Sequence, residues 1–201
     1  MALTQIDPSM IPSDAIDASK IAAGAVGASE IADGAVGNAE LATDAVTQDK
    51  VATGVGGEGP TFSAFRNTST QTVTTGVATK VQLNGEDYDT ANAFDSTTNF
   101  RFQPAVAGYY LVTGRIACSA SGGGTVSVPA IYKNGSLVLS GQPYIPPSGS
   151  SSMTTTVTGL VYLNGSTDYA ELWATITGSG TITISNGTGV TFLQGTLVRA
   201  G

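Results

Sequence analysis

Tyr109-Tyr-Leu-Val-Thr-Gly-Arg-Ile-Ala-Cys118 is the stretch of this sequence that decides the fold. Successive side chains of a β-strand point to opposite faces, so one face of the stretch carries Tyr110, Val112, Gly114, Ile116 and Cys118. The other face carries Tyr109, Leu111, Thr113 and Arg115. Because both faces are partly apolar, we predict a strand that packs in a sandwich core with one face and meets a partner subunit with the other.

Further segments rich in Thr, Val, Tyr, Phe and Ile follow from residue 61 to the C-terminus. We predict strands at 62–66, 71–77, 79–83, 99–103, 109–120, 125–133, 137–142, 151–163, 169–177, 181–185 and 190–199, each pairing antiparallel with the next. Dipeptides that readily adopt positive φ angles separate several of them, at Asn84-Gly85, Asn134-Gly135, Asn164-Gly165 and Asn186-Gly187. This pattern is typical of an all-β sandwich or jelly roll.

The N-terminal part has a different pattern, in which an aliphatic residue returns at every fifth position, at Ile6, Ile11, Ile16, Ile21, Val26, Ile31, Val36, Leu41, Val46 and Val51. A five-residue step places successive side chains about 140° apart on a helix and on alternating faces of a flat strand. Neither a helix nor a flat strand would therefore place the aliphatic side chains on one common face. The chain is therefore predicted to bend within every unit, at Gly24, Gly27, Gly34, Gly37 or Asp44.

A single chain with so few bulky side chains cannot cover a core of its own. We therefore predict that residues 11–55 form an extended, intertwined homo-oligomeric shaft, with the aliphatics from Ile11 to Val51 as its core. Residues 1–10 would be an anchor segment, residues 56–60 a Gly-rich hinge, and residues 61–201 a knob. The alternative is a disordered Ala/Gly linker, which the composition favours; the constant register of the aliphatics favours the shaft.

The knob resembles a known family in several motifs that occur in the expected order. Val81-Gln-Leu-Asn-Gly-Glu-Asp-Tyr-Asp89, Ala93-Phe-Asp95, Phe100-Arg-Phe-Gln-Pro104 and Ala107-Gly-Tyr-Tyr-Leu-Val112 are similar to the central signature of the complement-q and tumour-necrosis-factor-like domains. Residues 161–173 and Phe192-Leu-Gln-Gly-Thr-Leu-Val198 are similar to the closing strands, with one residue more between Phe192 and Gly195 than is usual. The resemblance implies a ten-stranded jelly roll and a tight homotrimer.

We expect the core of the knob to contain Phe94, Phe102, Tyr110, Val112, Trp173, Phe192 and Leu197. The Ile-Ala-Asp-Gly-Ala-Val repeats resemble shaft repeats of tailed-phage fibre proteins. This second resemblance implies a location in a virion, with the N-terminus attached to other virion proteins. No Gly-X-Y period occurs, so the collagen stalk of animal complement proteins is absent.

Composition excludes several function classes. The formal net charge is −7, with 8 Lys and Arg against 15 Asp and Glu, which argues against a nucleic-acid partner. No run approaches the ~20 apolar residues of a membrane span. The sequence contains no His and one Cys, Cys118, which removes the base of both Ser-His-Asp and Cys-His catalysis. We expect no enzyme activity, no zinc and no cofactor.

Two kinds of candidate site remain. Asp87, Asp89 and Asp95 are weak candidates for a calcium site, although their spacing is not that of a calcium loop and a solvated loop is the favoured interpretation. The irregular loops 142–149 and 119–125 are candidate contact loops, through Tyr144, Ile145, Ser121 and Gly123.

Three hypotheses for the function follow. The favoured one is a non-enzymatic fibre, spike or capsid decoration that attaches to a host surface glycan or protein or to neighbouring virion proteins. The second is a lectin-like surface protein outside any virion. The third, an enzyme acting on glycans, lacks the pair of acids that such chemistry needs.

Overall fold

The computed structural model describes residues 12–15, 17–27, 29–37, 39, 41, 45–46, 59–147 and 151–201. The chain divides into two compact units, Met1–Val51 and Ala52–Gly201. The predicted anchor segment, most of the predicted hinge, and the shaft-core residues Ile11, Ile16 and Val51 lie outside the described residues.

Between Pro12 and Ala35, the described part of the first unit bends once in every five residues. A backbone N–H donates to the carbonyl oxygen three residues earlier from Ala15 to Pro12 (3.1 Å), Lys20 to Asp17 (3.0 Å), Ala25 to Ala22 (3.0 Å), Glu30 to Gly27 (3.3 Å) and Ala35 to Ala32 (2.9 Å). Each of these bonds closes a four-residue turn. The remaining position of each five-residue unit is the one that the aliphatic residue occupies.

Two kinds of turn alternate along this unit, which explains why the sequence repeats every ten residues. Asp14, Gly24 and Gly34 have φ angles of 64°, 78° and 79°, and a positive φ at the third position is the mark of a type II turn. The turns between them are closed by acidic side chains. Asp17 accepts a hydrogen bond from the N–H of Ser19 (2.9 Å), and Glu30 accepts one from the N–H of Gly27 (2.7 Å).

The described aliphatic residues from Ile21 to Val46 remain about half exposed in a single chain. The exposed fractions are 46% for Ile21, 54% for Val26, 44% for Ile31, 52% for Val36, 42% for Leu41 and 53% for Val46. Their similarity shows that the same environment recurs at each step. Within one chain, these side chains lack the cover that a hydrophobic core would provide.

The second unit is built from strands. Their bounds are β1 Thr61–Phe65, β2 Gln71–Val73, β3 Thr79–Lys80, β4 Gly85–Asp89, β5 Phe94–Asp95, β6 Arg101–Phe102, β7 Ala107–Ala120, β8 Gly124–Lys133, β9 Ser136–Ser140, β10 Ser152–Asn164, β11 Ala170–Gly178, β12 Ile182–Ile184 and β13 Phe192–Ala200. Two antiparallel sheets pack face to face. One has the order β2-β12-β7-β13-β1-β4 with β10 also paired to β7, and the other has the order β5-β6-β11-β8-β9 with β3 paired to β11.

Strand β7, which contains the stretch quoted first, is central to the seven-stranded sheet. On one side it pairs with β10 along almost its whole length, from Ser119 opposite Ser152 to Ala107 opposite Asn164. On the other side it pairs first with β13 and then with β12. The predicted pairing of each strand with the next was wrong for most strands. It holds for β8 and β9, where Asn134-Gly135 supplies two positive φ angles. Strands β5 and β6 also pair, but no strand was predicted at Phe94–Asp95.

The core between the sheets contains an aromatic stack. The rings of Phe62 and Phe102 lie 4.0 Å apart, that of Phe94 is 5.4 Å from Phe62, and Tyr110 contacts Phe102 edge to face at 5.4 Å. Tyr110 donates its hydroxyl proton to the Val106 carbonyl (2.8 Å), and burial raises the pKa of Tyr110 to about 12. Val112 is fully buried beside this stack, and Leu197 packs against it while partly exposed.

Trp173 and Phe192 do not lie in this core, contrary to the prediction. Leu172 and Leu193, their neighbours in sequence, point inward, so alternation turns Trp173 and Phe192 to the outer faces of their sheets. Trp173 is half-buried there, stacked on Tyr132 with ring centroids 4.6 Å apart, and its indole N–H donates to Glu171 (3.0 Å).

Candidate subunit interface

An apolar patch lies on the outer face of the seven-stranded sheet, where β7 and β10 run side by side. The register places Tyr109 opposite Tyr162 and Leu111 opposite Leu160, and the two tyrosine rings are 5.3 Å apart. Their exposed fractions are 47%, 41%, 40% and 56% in that order. Val198 of β13, which is 57% exposed, completes the set, which we call the β7–β10 patch.

The strand pattern accounts for this patch. In β7 the residues at even positions are buried and those at odd positions near its start are exposed. Farther along, the outer face becomes polar, with Thr113, whose hydroxyl accepts a hydrogen bond from Thr158 (3.1 Å), and then Arg115. Aromatic and aliphatic side chains in a surface with few charges are the composition found at the centre of protein interfaces.

One end of the patch is held in place by a cation. The Lys133 ammonium donates to the Tyr162 carbonyl (2.8 Å) and pairs with Asp168 (2.7 Å). Hydrogen bonds from Lys133 and then from Asn134 hold the pKa of Asp168 below its usual range. The end of β10 is therefore fixed to β8, and the patch presents a preformed surface.

A second apolar surface lies at the edge of the other sheet. Strand β9 ends the six-stranded sheet, and Leu137 and Val138 on it are 55% and 44% exposed. Long exposed edges with apolar side chains are unusual in a monomer, because they offer unpaired backbone groups to other chains. The knob thus has two different apolar surfaces.

Comparison with known proteins identifies the architecture. No family model and no curated protein sequence matches this chain. Among solved structures, Eiger TNF from S. frugiperda matches with a TM-score of 0.56 and 11% identity, over 72% of this chain and 96% of that one. Murine APRIL at pH 5.0 matches with a TM-score of 0.51 and 11% identity, over 70% and 99% of the two chains. The knob is a tumour-necrosis-factor-like jelly roll. Identity at this level establishes the fold alone.

The three aspartates predicted as weak calcium candidates serve local structure in the jelly roll. Asp87 accepts a hydrogen bond from the Ser63 hydroxyl (3.0 Å), and Asp89 accepts one from the N–H of Phe94 (2.7 Å). Asp87 and Asp89 lie in strand β4, where the sequence favoured a loop. In the part of the chain that the structure describes, no three acidic, His or Cys side chains gather into a metal-sized group.

Asp95 closes the turn that follows β5. Its carboxylate accepts hydrogen bonds from the N–H groups of Thr97, Thr98 and Asn99 at 3.0, 2.9 and 3.1 Å. These bonds, that from Thr98 above all, hold the pKa of Asp95 well below its usual range. The charge of this carboxylate is thus used to order the loop between β5 and β6.

The predicted contact loops lie around the other end of β7 from the apolar patch. Ser121 and Gly123 form the turn into β8, where the Ser121 hydroxyl accepts from the N–H of Thr181 (2.9 Å). Tyr144 is fixed to β8 by two backbone hydrogen bonds with Ser127, at 2.9 and 3.0 Å. Ile145 is 72% exposed. The structure therefore brings these residues neither to the β7–β10 patch nor to Asp95.

Several apolar residues that the structure places at the surface of the knob were not predicted as surface residues from the sequence. The sequence predicts that four of these residues lie in strands, but not whether their side chains point to the core or to the surface: Leu137, Val138, Leu160 and Val198. Successive residues of a strand point to opposite faces. Because Met153, Val157 and Val161 of β10 are buried, Leu160 is expected to point outward. Among the residues that the structure describes, no helix is long and apolar enough to cross a membrane.

Proposed function

We propose that this protein is a non-enzymatic structural component of a phage virion, a short homotrimeric fibre, spike or capsid decoration that displays a jelly-roll knob. The β7–β10 patch carries the proposal. It is a rigid surface of two aromatic and three aliphatic side chains, each at least 40% exposed in one chain. A second copy of the same chain is the occupant that we assign to it.

Two different apolar surfaces on one knob support a ring of subunits. In a head-to-tail interface, one surface of each subunit contacts the other surface of the next, and the assembly closes when the rotation permits. The β7–β10 patch would receive the edge strand β9 of the neighbouring copy, with its Leu137 and Val138. A closed trimer would cover both surfaces in every subunit and would make the β9 edge unavailable to further chains.

The first unit supports assembly from identical chains. Its aliphatics recur at one spacing and with nearly equal exposure, from 42% to 54%. Only a partner with the same five-residue period can meet each of them in the same way, and a further copy of this chain has that period. In the trimer, these side chains would form the core of the shaft.

The virion location rests on the resemblance of the repeats to tailed-phage fibre shafts. In that arrangement, the N-terminal segment joins other virion proteins and the knob faces outward, towards a host surface or a neighbouring virion protein. The protein would act by holding the knob at the surface of the particle and by binding a partner there. A lectin-like protein outside a virion remains the alternative role for the same knob.

Sedimentation equilibrium of the full chain tests the assembly. The proposal expects a particle of three times the chain mass of 20.2 kDa, and a monomer at micromolar concentration would contradict it. Cryo-electron microscopy of purified particles that carry a labelled copy tests the location. Density for the label on capsid or tail supports the virion role, and a gene product absent from purified particles favours the lectin-like alternative.

A further inference from the structure

A polar cleft of about 310 Å³ lies where the hairpin of β5 and β6 meets the loops that precede β7 and follow β10. It lies beside the hairpin of β5 and β6, with Phe94 on its inner wall and Asn92, Arg101, Gln103 and Ser166 around it. Its size lies at the lower end of the range of small-molecule sites. The cleft is large enough for a small polar ligand.

Arg101 is the charged group that sets the chemistry of this cleft. Its guanidinium carbon lies over the ring of Tyr169, 4.3 Å from the centroid. Lys80 and Lys133 pair with the carboxylates of Glu171 and Asp168. Within the described part of the chain, Arg101 has neither an ion pair nor a hydrogen bond to a protein acceptor. Its N–H groups therefore remain available beside the ring that holds the side chain.

The surroundings of Arg101 are rigid. Phe102, the next residue, is fully buried in the aromatic stack, and Asp95 opposite Arg101 is committed to the turn that it closes. That carboxylate is not within ion-pair distance of Arg101. An arginine that is held in place without an internal partner is preorganised for an external anion, because little of its side-chain entropy remains to be lost on binding.

The neutral groups of the cleft suit hydroxyl groups. The Gln103 amide donates to the Ser166 carbonyl (2.9 Å), which orients its own oxygen as an acceptor. The Ser166 hydroxyl donates to Asn164 (3.2 Å), so its oxygen can also accept. Asp95 also lines the cleft, but its carboxylate oxygens already accept the N–H groups of the turn that it closes. The donors left available are those of Arg101, which together with the neutral groups match a ligand with one negative charge and several hydroxyls. A phosphate, with nearly two charges, would meet a single cation in a protein of net charge −7.

We propose that this cleft binds an acidic saccharide of the uronic acid class. Arg101 would hold the carboxylate through two parallel N–H···O bonds. Gln103 and Ser166 would accept hydrogen bonds from ring hydroxyls, and Asn92 would bind at the rim. The ligand class rests on the proposed attachment role, for which it supplies a chemical target. The cleft itself is built by one chain, so its binding can be measured whatever the assembly state.

Titration of the full chain with methyl β-D-glucuronide, followed by NMR chemical-shift changes, tests the site. Methyl β-D-glucoside, which lacks the charge, and acetate, which lacks the ring, are the matched probes. We expect saturable shifts at residues of the cleft with the glucuronide, and binding at least about tenfold weaker with either control probe. Equal affinity for glucuronide and glucoside, or no shift in the cleft, would overturn the proposal.

Variants separate the arginine from general charge effects. Arg101→Gln should lower glucuronide affinity about tenfold or more, and Arg101→Lys should weaken it while keeping the charge, because lysine lacks the planar pair of donors. Arg199→Gln removes one positive charge from an exposed position on the other sheet and should leave affinity unchanged. Unchanged affinity in a folded Arg101→Gln protein would refute the role of Arg101. Loss of binding in this variant with the trimer intact would separate this site from the assembly.

Discussion

Replacement of Leu160 by aspartate is the sharpest test of the subunit interface. Leu160 lies opposite Leu111 in the β7–β10 patch and is 56% exposed in a single chain. Complete burial of a leucine side chain contributes about 1.5–3 kcal/mol. Since just over half of Leu160 is still uncovered, its burial between subunits would contribute about 1–2 kcal/mol per copy, or roughly 3–6 kcal/mol per trimer.

The change to aspartate removes this contribution and adds the cost of desolvating a charge. Loss of the apolar term alone corresponds to a rise of roughly 10²- to 10⁴-fold in the trimer dissociation constant, at 1.4 kcal/mol per factor of ten. An unpaired carboxylate at a closed interface costs several kcal/mol more. We therefore expect Leu160→Asp to be a folded monomer at concentrations where the unmodified chain is a trimer.

Analytical ultracentrifugation over a concentration series measures the effect, with circular dichroism as the check that β-structure is retained. Val77→Asp is the matched control, because Val77 is 50% exposed and lies outside both apolar surfaces. The reasoning is refuted if Leu160→Asp dissociates no more readily than the unmodified chain. It is also refuted if Val77→Asp dissociates to the same extent.

Three further changes probe the two units. Gly114→Ala would place a methyl group against Leu172 in the core, and we expect a loss of about 1–3 kcal/mol, or roughly 2–12 °C in Tm, by thermal denaturation. Gly34→Val forces a β-branched residue to a φ of 79° and should speed proteolytic cleavage in the repeat, whereas Ala35→Val should not. Because the pKa of Asp168 is lowered in the fold, its stabilisation is present above its unfolded value of about 3.9 and is lost as the pH falls through the folded value. Thus Tm should drop between pH 5 and 2, and by less in Asp168→Asn than in Glu86→Gln.

The alternation of a buried strand could be predicted from the sequence with accuracy. Tyr110, Val112 and Ile116 are buried, and Tyr109 and Leu111 are about half exposed, as the first stretch predicts. The period of two follows from the backbone alone and needs no knowledge of distant contacts. The same applies to the bends of the repeat, since a five-residue period is incompatible with a straight helix or strand.

The pairing of strands could not be predicted from local signals. Asn164-Gly165 ends β10, yet the following strand β11 joins the other sheet, so a turn dipeptide fixes where a strand stops and not which strand it joins. Strand β4 escaped prediction because it lies at a sheet edge and has three exposed residues in succession, from Glu86 to Tyr88. Trp173 was predicted in the core because aromatic residues of all-β domains mostly lie in the core or at an interface, whereas its alternation with the buried Leu172 and Ala174 indicates the outer face.

The Arg101 cleft lies at the β5–β6 end of the six-stranded sheet and the edge strand β9 at its other end, and this arrangement links the functions of cleft and interface. A trimer closed through the β7–β10 patch would leave three Arg101 clefts open, so a weak monosaccharide site can become an effective receptor site on a repeating polysaccharide. Linked sites of this kind gain about 10²- to 10⁴-fold in avidity when their spacing permits simultaneous binding. Leu160→Asp should then keep the affinity for methyl β-D-glucuronide and lose most of the binding to an immobilised glucuronic acid polymer, measured by surface plasmon resonance. Equal retention of the monomeric variant and the trimer on that polymer would contradict this coupling.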